Sequence, residues 1–380
     1  MLEYWEKFID FRAIKMAKLV YEEICRKLLF FDMLICFFLG LFMFFLPQLV
    51  GDFILQRSTD GVHWHLLRCI GGQLLASTFF SRSSGSTHST DLIRSACFVM
   101  RLLSAILCSF IFLHTLSVHP TLIHPMLIRA LILISLGCSL LYVILLLISG
   151  WPLEYQAEPP EERLVYSQKN AIKGIHGALY QLDAIAAVSI GLAWVLAPEW
   201  LLEKQVRLTL DVSHEFCGRL MGLLFICSHV ISSHALHIKA KADLAIAAET
   251  RALLCIFILS AQIWSQIIYT RDWSSKHWVG IALFSTWTVI AVVYRLYLWT
   301  SVNTGISARK IELFKHDNDF ISIFPIFSHH CVAADRTIDF WIYPSYKSFL
   351  AKLSDMLATA EFYLSHQIPH GGNKYYDLEK

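Results

Sequence analysis

Charged residues are scarce in this chain of 380 residues. Asp, Glu, Lys and Arg make up 16% of it and hydrophobic residues make up 56%, whereas a typical soluble domain has about 25% charged and about 45–50% apolar residues. This composition disfavours disorder, and a net charge of +2 gives no field that would attract nucleic acid. The class that remains is an all-α, polytopic membrane protein.

Motifs for catalysis or cofactor binding are also lacking. The ten cysteines lie mostly in apolar stretches, where they act as small buried hydrophobes rather than as a disulfide framework. There is no His-Glu-x-x-His motif, no Walker loop and no Gly-x-Ser-x-Gly motif. The histidines, including His234 and His237, lack the spacing typical of a metal site. We therefore expect no enzyme activity, no cofactor and no bound metal.

What the chain does have is a series of long apolar runs, each able to cross about 30 Å of hydrocarbon. The eight predicted spans lie near 28–46, 64–81, 96–118, 130–149, 183–202, 214–233, 251–270 and 278–299. The second and sixth are the most polar. Lys and Arg number six in residues 1–27 and eight after residue 300, while the loops on the opposite side carry at most two each. The positive-inside rule therefore predicts that both termini are cytosolic.

Amphipathic segments flank the predicted spans. In residues 1–27 apolar side chains recur every three or four positions, which predicts a helix that either lies in the membrane interface or packs on the protein's own bundle. Residues 301–380 form a predicted cytosolic tail, in which a helix begins at Pro344 and has one apolar face. Besides the lipid bilayer, we expect a protein partner at these two helices.

An internal repeat is the strongest signal in the sequence. At a shift of 151 residues the first half matches the second at ten positions. The matched pairs are Asp32/Asp183, Gly40/Gly191, Leu41/Leu192, Pro47/Pro198, Asp60/Asp211, His63/His214, Arg68/Arg219, Gly71/Gly222, Ser77/Ser228 and Ser81/Ser232. Because each unit has four spans, the two copies should enter the membrane in the same direction. We predict repeats at 28–150 and 183–300, joined by a cytosolic connector at 151–182.

Two pairs of opposite charge lie inside predicted spans. Asp32 and Arg101 have similar depth in the first repeat, as Asp183 and Arg251 have in the second. Charges inside a membrane normally face the bundle and pair with each other, so a structural ion pair in each half is the favoured interpretation. An ion- or proton-coupling site, or side chains that extend to the membrane surface, are the alternatives.

The second repeated polar group lies where spans two and six begin. It consists of Asp60, His63 and Arg68, and of Asp211, His214 and Arg219 in the second copy. The aspartates are expected to cap the helices. The arginines are expected to pair with Asp52 and Glu203 or with lipid headgroups. A headgroup or small-anion site is the functional alternative to caps and ion pairs.

The repeated unit resembles the DoxX-like class of four-span bundles, which includes the tumour-protein-inducible membrane proteins. The resemblance rests on a proline that ends span one followed by Arg-x-x-Gly: Pro47 with Arg68 and Gly71, and Pro198 with Arg219 and Gly222. It implies an accessory or assembly role in the endomembrane system. We therefore expect a non-enzymatic scaffold of the endoplasmic reticulum. The alternative is a lipid-handling protein or small-solute transporter with a path between the repeats.

Overall fold

The computed structural model describes residues 2–84, 91–149, 175–238 and 241–317, and this part of the chain is helical without a strand. The described residues up to 310 form one compact unit. The described helices are α1 Leu2–Phe45, α2 Pro47–Ile54, α3 Gly61–Ser84, α4 Asp91–Val118, α5 Pro125–Ile148, α6 Ile175–Leu196, α7 Pro198–Glu203, α8 Val212–Ala235, α9 Lys241–Ile268 and α10 His277–Asp317.

Seven of these helices contain a segment long and apolar enough to cross a membrane, which identifies a membrane protein. The segments are Val20–Phe45, Leu92–Val118, Pro125–Ile148, Gly177–Leu196, Val212–Ala235, Asp243–Ile268 and His277–Thr300. Helix α3, which corresponds to the predicted second span, is not one of them. Its sequence contains His63, His65, Arg68, Gln73 and Arg82, and it is therefore too polar to qualify.

The polarity of α3 is explained by its position in the bundle. Helix α3 packs against α1, α8 and α9, and most of its residues are buried. A helix surrounded by other helices meets little lipid, so its polar side chains can bond to neighbouring helices instead. His63, His65 and Gln73 are all at most 5% exposed.

The third long helix of each half packs against the second long helix of the other half. Helix α4 packs on α8, and α9 packs on α3, while α3 and α8 also meet each other. Within each half, the first and second long helices pack together, as α1 with α3 and α6 with α8. The two halves are therefore interlocked rather than side by side.

Close helix contacts occur at two pairs of glycines. A Cβ atom added to Gly71 would lie 2.7 Å from the carbonyl oxygen of Gly40, and one added to Gly222 would lie 2.7 Å from that of Gly191. Both contacts need the absence of a side chain, as is usual where helices approach closely in membranes. They hold α1 to α3 and α6 to α8.

Prolines and short bridges shape the same end of both halves. Pro47 and Pro198 begin the short helices α2 and α7, because proline cannot continue the preceding helix without a clash. Beyond these short helices, Leu55 makes an isolated antiparallel bridge to Ile123, and Val206 makes one to Trp273. These bridges join the loops that precede α3 and α8 to the loops that follow α4 and α9.

Several predicted boundaries differ from the observed ones. Helix α1 runs through residue 27 without a break, because no glycine or proline occurs before Gly40. Helix α6 begins at Ile175, inside the predicted connector 151–182, and α10 continues past residue 300 to Asp317. The connector up to residue 174 and the tail helix predicted from Pro344 lie outside the described residues.

Candidate functional site

Helices α3 and α8 begin in the same way, each capped by an aspartate. Oδ1 of Asp60 accepts hydrogen bonds of 2.9 and 3.2 Å from the backbone N–H groups two and three residues further on. Oδ1 of Asp211 accepts the corresponding bonds of 3.0 and 3.3 Å. These bonds satisfy N–H groups that have no partner within the helix.

The two capped helix ends bring a pair of histidines together. His63 and His214 have ring centroids 3.8 Å apart and ring planes tilted by 35°. Their side chains are 1% and 3% exposed, so both imidazoles are shielded from solvent. A buried pair of imidazoles needs polar partners on every ring nitrogen.

Asp60 supplies a partner to both histidines. Nδ1 of His63 lies 3.0 Å from Oδ1 of Asp60, and Nε2 of His214 lies 3.0 Å from Oδ2 of the same carboxylate. The second contact crosses from one half of the chain to the other. Asp60 thus caps its own helix and joins the two halves.

Asp211 is the partner of the two remaining ring nitrogens, one directly and one through Ser213. Nδ1 of His214 lies 2.8 Å from Oδ1 of Asp211. Nε2 of His63 lies 2.7 Å from the hydroxyl of Ser213, which in turn donates to Asp211. Arg57 donates to Oδ2 of Asp211 at 3.0 Å. We call Asp60, His63, Asp211, Ser213 and His214 the Asp–His cluster.

Both carboxylates of the Asp–His cluster are held in the ionised form. Burial alone would raise the pKa of Asp60, but hydrogen bonds from His214 and His63 outweigh burial and hold that pKa well below its usual range. Burial acts likewise on Asp211, where hydrogen bonds from Ser213 and Arg57 keep the pKa low. Two carboxylates against one guanidinium make the surroundings of the histidines negative.

Arg68 does not join the Asp–His cluster. Its guanidinium donates to the carbonyl of Phe44 and the hydroxyl of Tyr269, each at 3.2 Å, and lies 5.3 Å from the ring centroid of Trp264. The expected pairing with Asp52 is wrong, since Asp52 accepts a hydrogen bond from Thr59 instead. The preference of guanidinium for aromatic faces explains the difference.

Arg219 also lies apart from the cluster. It forms an ion pair of 2.7 Å with Glu215, one turn earlier in α8, rather than with the expected Glu203. The six residues of the predicted headgroup or anion site are therefore divided. Four converge in the Asp–His cluster, and the two arginines that would bind an anion have other partners.

The charges inside the apolar helices meet in each half. Nε of Arg101 lies 2.8 Å from Oδ2 of Asp32, and the Arg101 side chain is 8% exposed. Tyr142 donates to Asp32 at 3.0 Å, and Arg101 also donates to Ser77 and Ser81. This first ion pair is therefore embedded in a network of hydrogen bonds.

The second ion pair is built in a similar way. Nε of Arg251 lies 2.5 Å from Oδ1 of Asp183. Trp287 donates to the same carboxylate at 2.9 Å, Ser232 donates to its other oxygen, and Arg251 also donates to Ser228. In both halves the carboxylate and the guanidinium have several partners, as a structural pair in a membrane requires.

Two members of the site were missed by sequence reasoning. Ser213 occupies the position that matches Val62 at the shift of 151, so the repeat gives no signal for it. Arg57 is an isolated charge in a loop. The contact of Ser213 with His63 and that of Arg57 with Asp211 appear only in the structure, which brings the first half of the chain against the start of α8.

A comparison with protein-family models matches most of the chain. A family model described as "Domain of unknown function (DUF8292)" matches residues 30–296, which extend from α1 into α10 and include both ion pairs and the Asp–His cluster. No curated protein matches the chain. No solved structure matches it either.

Proposed function

Because the chain belongs to the DUF8292 family, whose function is unknown, we propose a function from its own structure: it is a non-enzymatic multi-pass membrane scaffold. It acts as an accessory or assembly subunit of a larger endomembrane complex. The observation that carries this proposal is the pairing of Asp32 with Arg101 and of Asp183 with Arg251. Transporters and membrane enzymes instead present intramembrane charges to a path or a substrate.

The small size of the spaces beside these pairs is consistent with a scaffold. A cavity lined by Asp183, Arg251 and Trp287 has a volume of about 40 Å³. A second one, lined by Gln73 and Arg101, has about 30 Å³. Each is large enough for a few water molecules and too small for a metabolite or lipid.

We further propose that the scaffold arose from two copies of one four-span unit. The glycine contacts, the loop bridges and the ion pairs occur at positions related by shifts of 150 or 151 residues, which supports a common origin. In this proposal α3 also crosses the membrane and brings the number of spans from seven to eight. Its neighbouring helices shield it from lipid. An even number of spans per copy relates the copies by an axis along the membrane normal.

The proposal includes an orientation and a location, both argued from the sequence. The excess of Lys and Arg at both ends supports cytosolic termini. The similarity of the Pro47–Gly71 segment to DoxX-like bundles supports the endoplasmic reticulum. Partner binding is assigned to residues 1–27 and to the helix predicted from Pro344, since the sequence of each predicts an apolar face that a partner protein can cover.

The partner assignment can be tested by changing one face of the tail helix. The double variant Leu353→Asp, Leu357→Asp introduces charge on the face that the sequence predicts to be apolar, and Ser354→Asp introduces it outside that predicted face as the matched control. All three chains would be purified from native membranes in a mild detergent, and co-purifying proteins identified by mass spectrometry. The proposal predicts a stoichiometric partner with the native chain and the control but not with the double variant. A native chain that purifies alone contradicts it.

A small-solute transporter is the second candidate, favoured by the position of the cavity beside Arg101. This cavity lies between α3, α4, α8 and α9 and is lined from both halves, including by Cys227. A transport path would expose Cys227 to water in some states, whereas a scaffold keeps it buried. Modification of Cys227 in native membranes by a membrane-impermeant maleimide, detected by peptide mass, supports transport. Protection of Cys227 favours the scaffold.

A further inference from the structure

We propose that Asp60, His63 and His214 form a binding site for a divalent transition-metal ion of the Zn²⁺ class. One oxygen of Asp60 lies 3.0 Å from Nδ1 of His63, and the other lies 3.0 Å from Nε2 of His214. The three residues offer ligand atoms that all lie within 4.8 Å of one another. A tetrahedral ion with bonds of about 2.0–2.2 Å holds its ligand atoms about 3.3–3.6 Å apart, so small side-chain adjustments are enough.

The arrangement around the ligands supports a metal ion more strongly than the three ligands alone. In metal sites, each ligating imidazole usually donates its other ring N–H to a carboxylate, a backbone carbonyl or water, which fixes the tautomer and the ring orientation. Here the outer nitrogen of His214 lies 2.8 Å from Asp211. That of His63 reaches the same oxygen through the hydroxyl of Ser213. Both outer nitrogens therefore lead to one carboxylate.

The two repeated aspartates thus have different tasks. Asp60 contacts the two nitrogens that would bind the ion, Nδ1 of His63 and Nε2 of His214, and is itself the third metal ligand. Asp211 faces the two outer nitrogens, and Arg57 holds its second oxygen at 3.0 Å. Each aspartate contacts Nδ1 of the histidine three residues further on, at 3.0 Å for Asp60 and at 2.8 Å for Asp211. The two differ at Nε2 of the opposite histidine, which Asp60 contacts directly and Asp211 reaches only through Ser213. Asp60 is therefore the carboxylate that faces one nitrogen of each ring directly, as a shared metal ligand would.

Charge and ligand type define the class of ion. Two carboxylates and one guanidinium leave a negative charge next to the histidines, which attracts a cation and repels a phosphate headgroup. Two imidazoles with one carboxylate suit zinc or another transition metal, whereas Mg²⁺ and Ca²⁺ prefer oxygen ligands. Asp60 is 34% exposed, which provides an entry path beside the buried histidines. Three protein ligands leave one position for water.

A metal ion at this site would fasten the two halves to each other. Asp60 and His63 come from the start of α3, whereas His214 comes from the start of α8. The spacing of histidines along the chain could not indicate the site, because 151 residues separate His63 from His214. This inference is independent of the scaffold function proposed above.

Metal binding can be measured directly on the full-length chain. The protein is purified in detergent, freed of metal with a chelator, and titrated with Co²⁺ followed by visible absorption and with Zn²⁺ followed by calorimetry. Three variants are compared with the native chain: Asp60→Asn, Asp211→Asn and His114→Ala. Asparagine caps a helix about as well as aspartate, so the first two variants keep their helix caps. His114 is an exposed histidine of α4 that does not belong to the Asp–His cluster, which makes it the matched control.

We expect one equivalent of metal to bind the native chain and the His114→Ala control equally. Asp60→Asn should weaken binding by at least about 100-fold, because it removes a ligand. Asp211→Asn should weaken it by about 10–100-fold, the usual effect of losing an orienting partner. Absence of saturable binding to a monodisperse native chain would overturn the proposal. So would equal affinity of the native chain and Asp60→Asn.

Discussion

His63 and His214 stack with their ring centroids 3.8 Å apart, although they begin different helices in different halves of the chain. The contact places the N-terminal ends of α3 and α8 against each other. Both rings are buried, and each has a polar group near both of its nitrogens. The two halves therefore meet through hydrogen-bonded polar groups at this end of the bundle.

The first prediction concerns the ion pair of Asp32 and Arg101. Asp32→Asn should lower the free energy of unfolding by about 3–5 kcal/mol, because it leaves a buried guanidinium without its counter-charge. Replacing both partners, as in Asp32→Asn with Arg101→Met, should recover part of the loss. Unfolding of the chain in mixed micelles measures both changes. The more exposed pair of Arg295 and Glu249 is the control, and its loss should cost below about 1 kcal/mol.

Glycine substitutions test the close helix contacts. A Cβ at Gly71 would lie 2.6 Å from the backbone nitrogen of Phe44, and one at Gly222 would lie 2.7 Å from Cβ of Trp194. Gly71→Ala and Gly222→Ala should each destabilise the protein by about 1–3 kcal/mol through overpacking. Gly137 has no atom within 4 Å of an added Cβ. Gly137→Ala should therefore be neutral or stabilise by up to about 1 kcal/mol, from helix propensity. Equal effects at all three positions would contradict the packing.

Ser213 links His63 to Asp211, and its removal should be costly. Ser213→Ala takes away the hydroxyl next to Nε2 of His63, so a buried ring nitrogen loses its partner. We expect the metal-free protein to lose about 1–3 kcal/mol of stability. Ser213→Thr keeps a hydroxyl and should retain most of that stability. If alanine and threonine have the same effect, the hydroxyl does not support the histidine pair.

Asp272 provides a test of pH dependence. Burial, followed by repulsion from the carboxylate of Asp60, raises the pKa of Asp272. The unfolded chain therefore gives up this proton more readily than the folded one, and stability is lost as the pH rises through the folded pKa. Asp272→Asn should raise the melting temperature at pH 7. The gain should disappear below about pH 4, where the carboxyl is protonated in both states. The exposed Glu203, changed to Gln, serves as the control for loss of a negative charge.

Part of the site could be predicted from the sequence. Asp32 and Arg101 stand at similar depth in apolar helices, and the cost of an unpaired charge in a membrane is enough to predict that they meet. The caps at Asp60 and Asp211 follow from local sequence, since each aspartate precedes a helix by one residue. The helical class follows from composition.

Contacts between helices could not be predicted in this way. The pattern of one helix shows that it has a polar face but not which helix covers it. Arg68 therefore meets Trp264 and Tyr269, in or just after α9 of the other half, rather than the nearby Asp52. The contact of His214 with Asp60 has the same origin, because it depends on where α3 crosses α8. The polarity of α3 makes it a poor candidate span by hydropathy for a related reason. Hydropathy measures the polarity of a segment and not whether other helices bury it.

The central claim, that this protein is a subunit of a larger membrane complex, is tested most directly by its mass in the native state. The full-length chain would be taken from its own membranes in mild detergent and examined by native mass spectrometry. The account predicts a dominant species heavier than the 43.5 kDa chain that releases at least one different protein on activation. A dominant species that contains only this chain would contradict it.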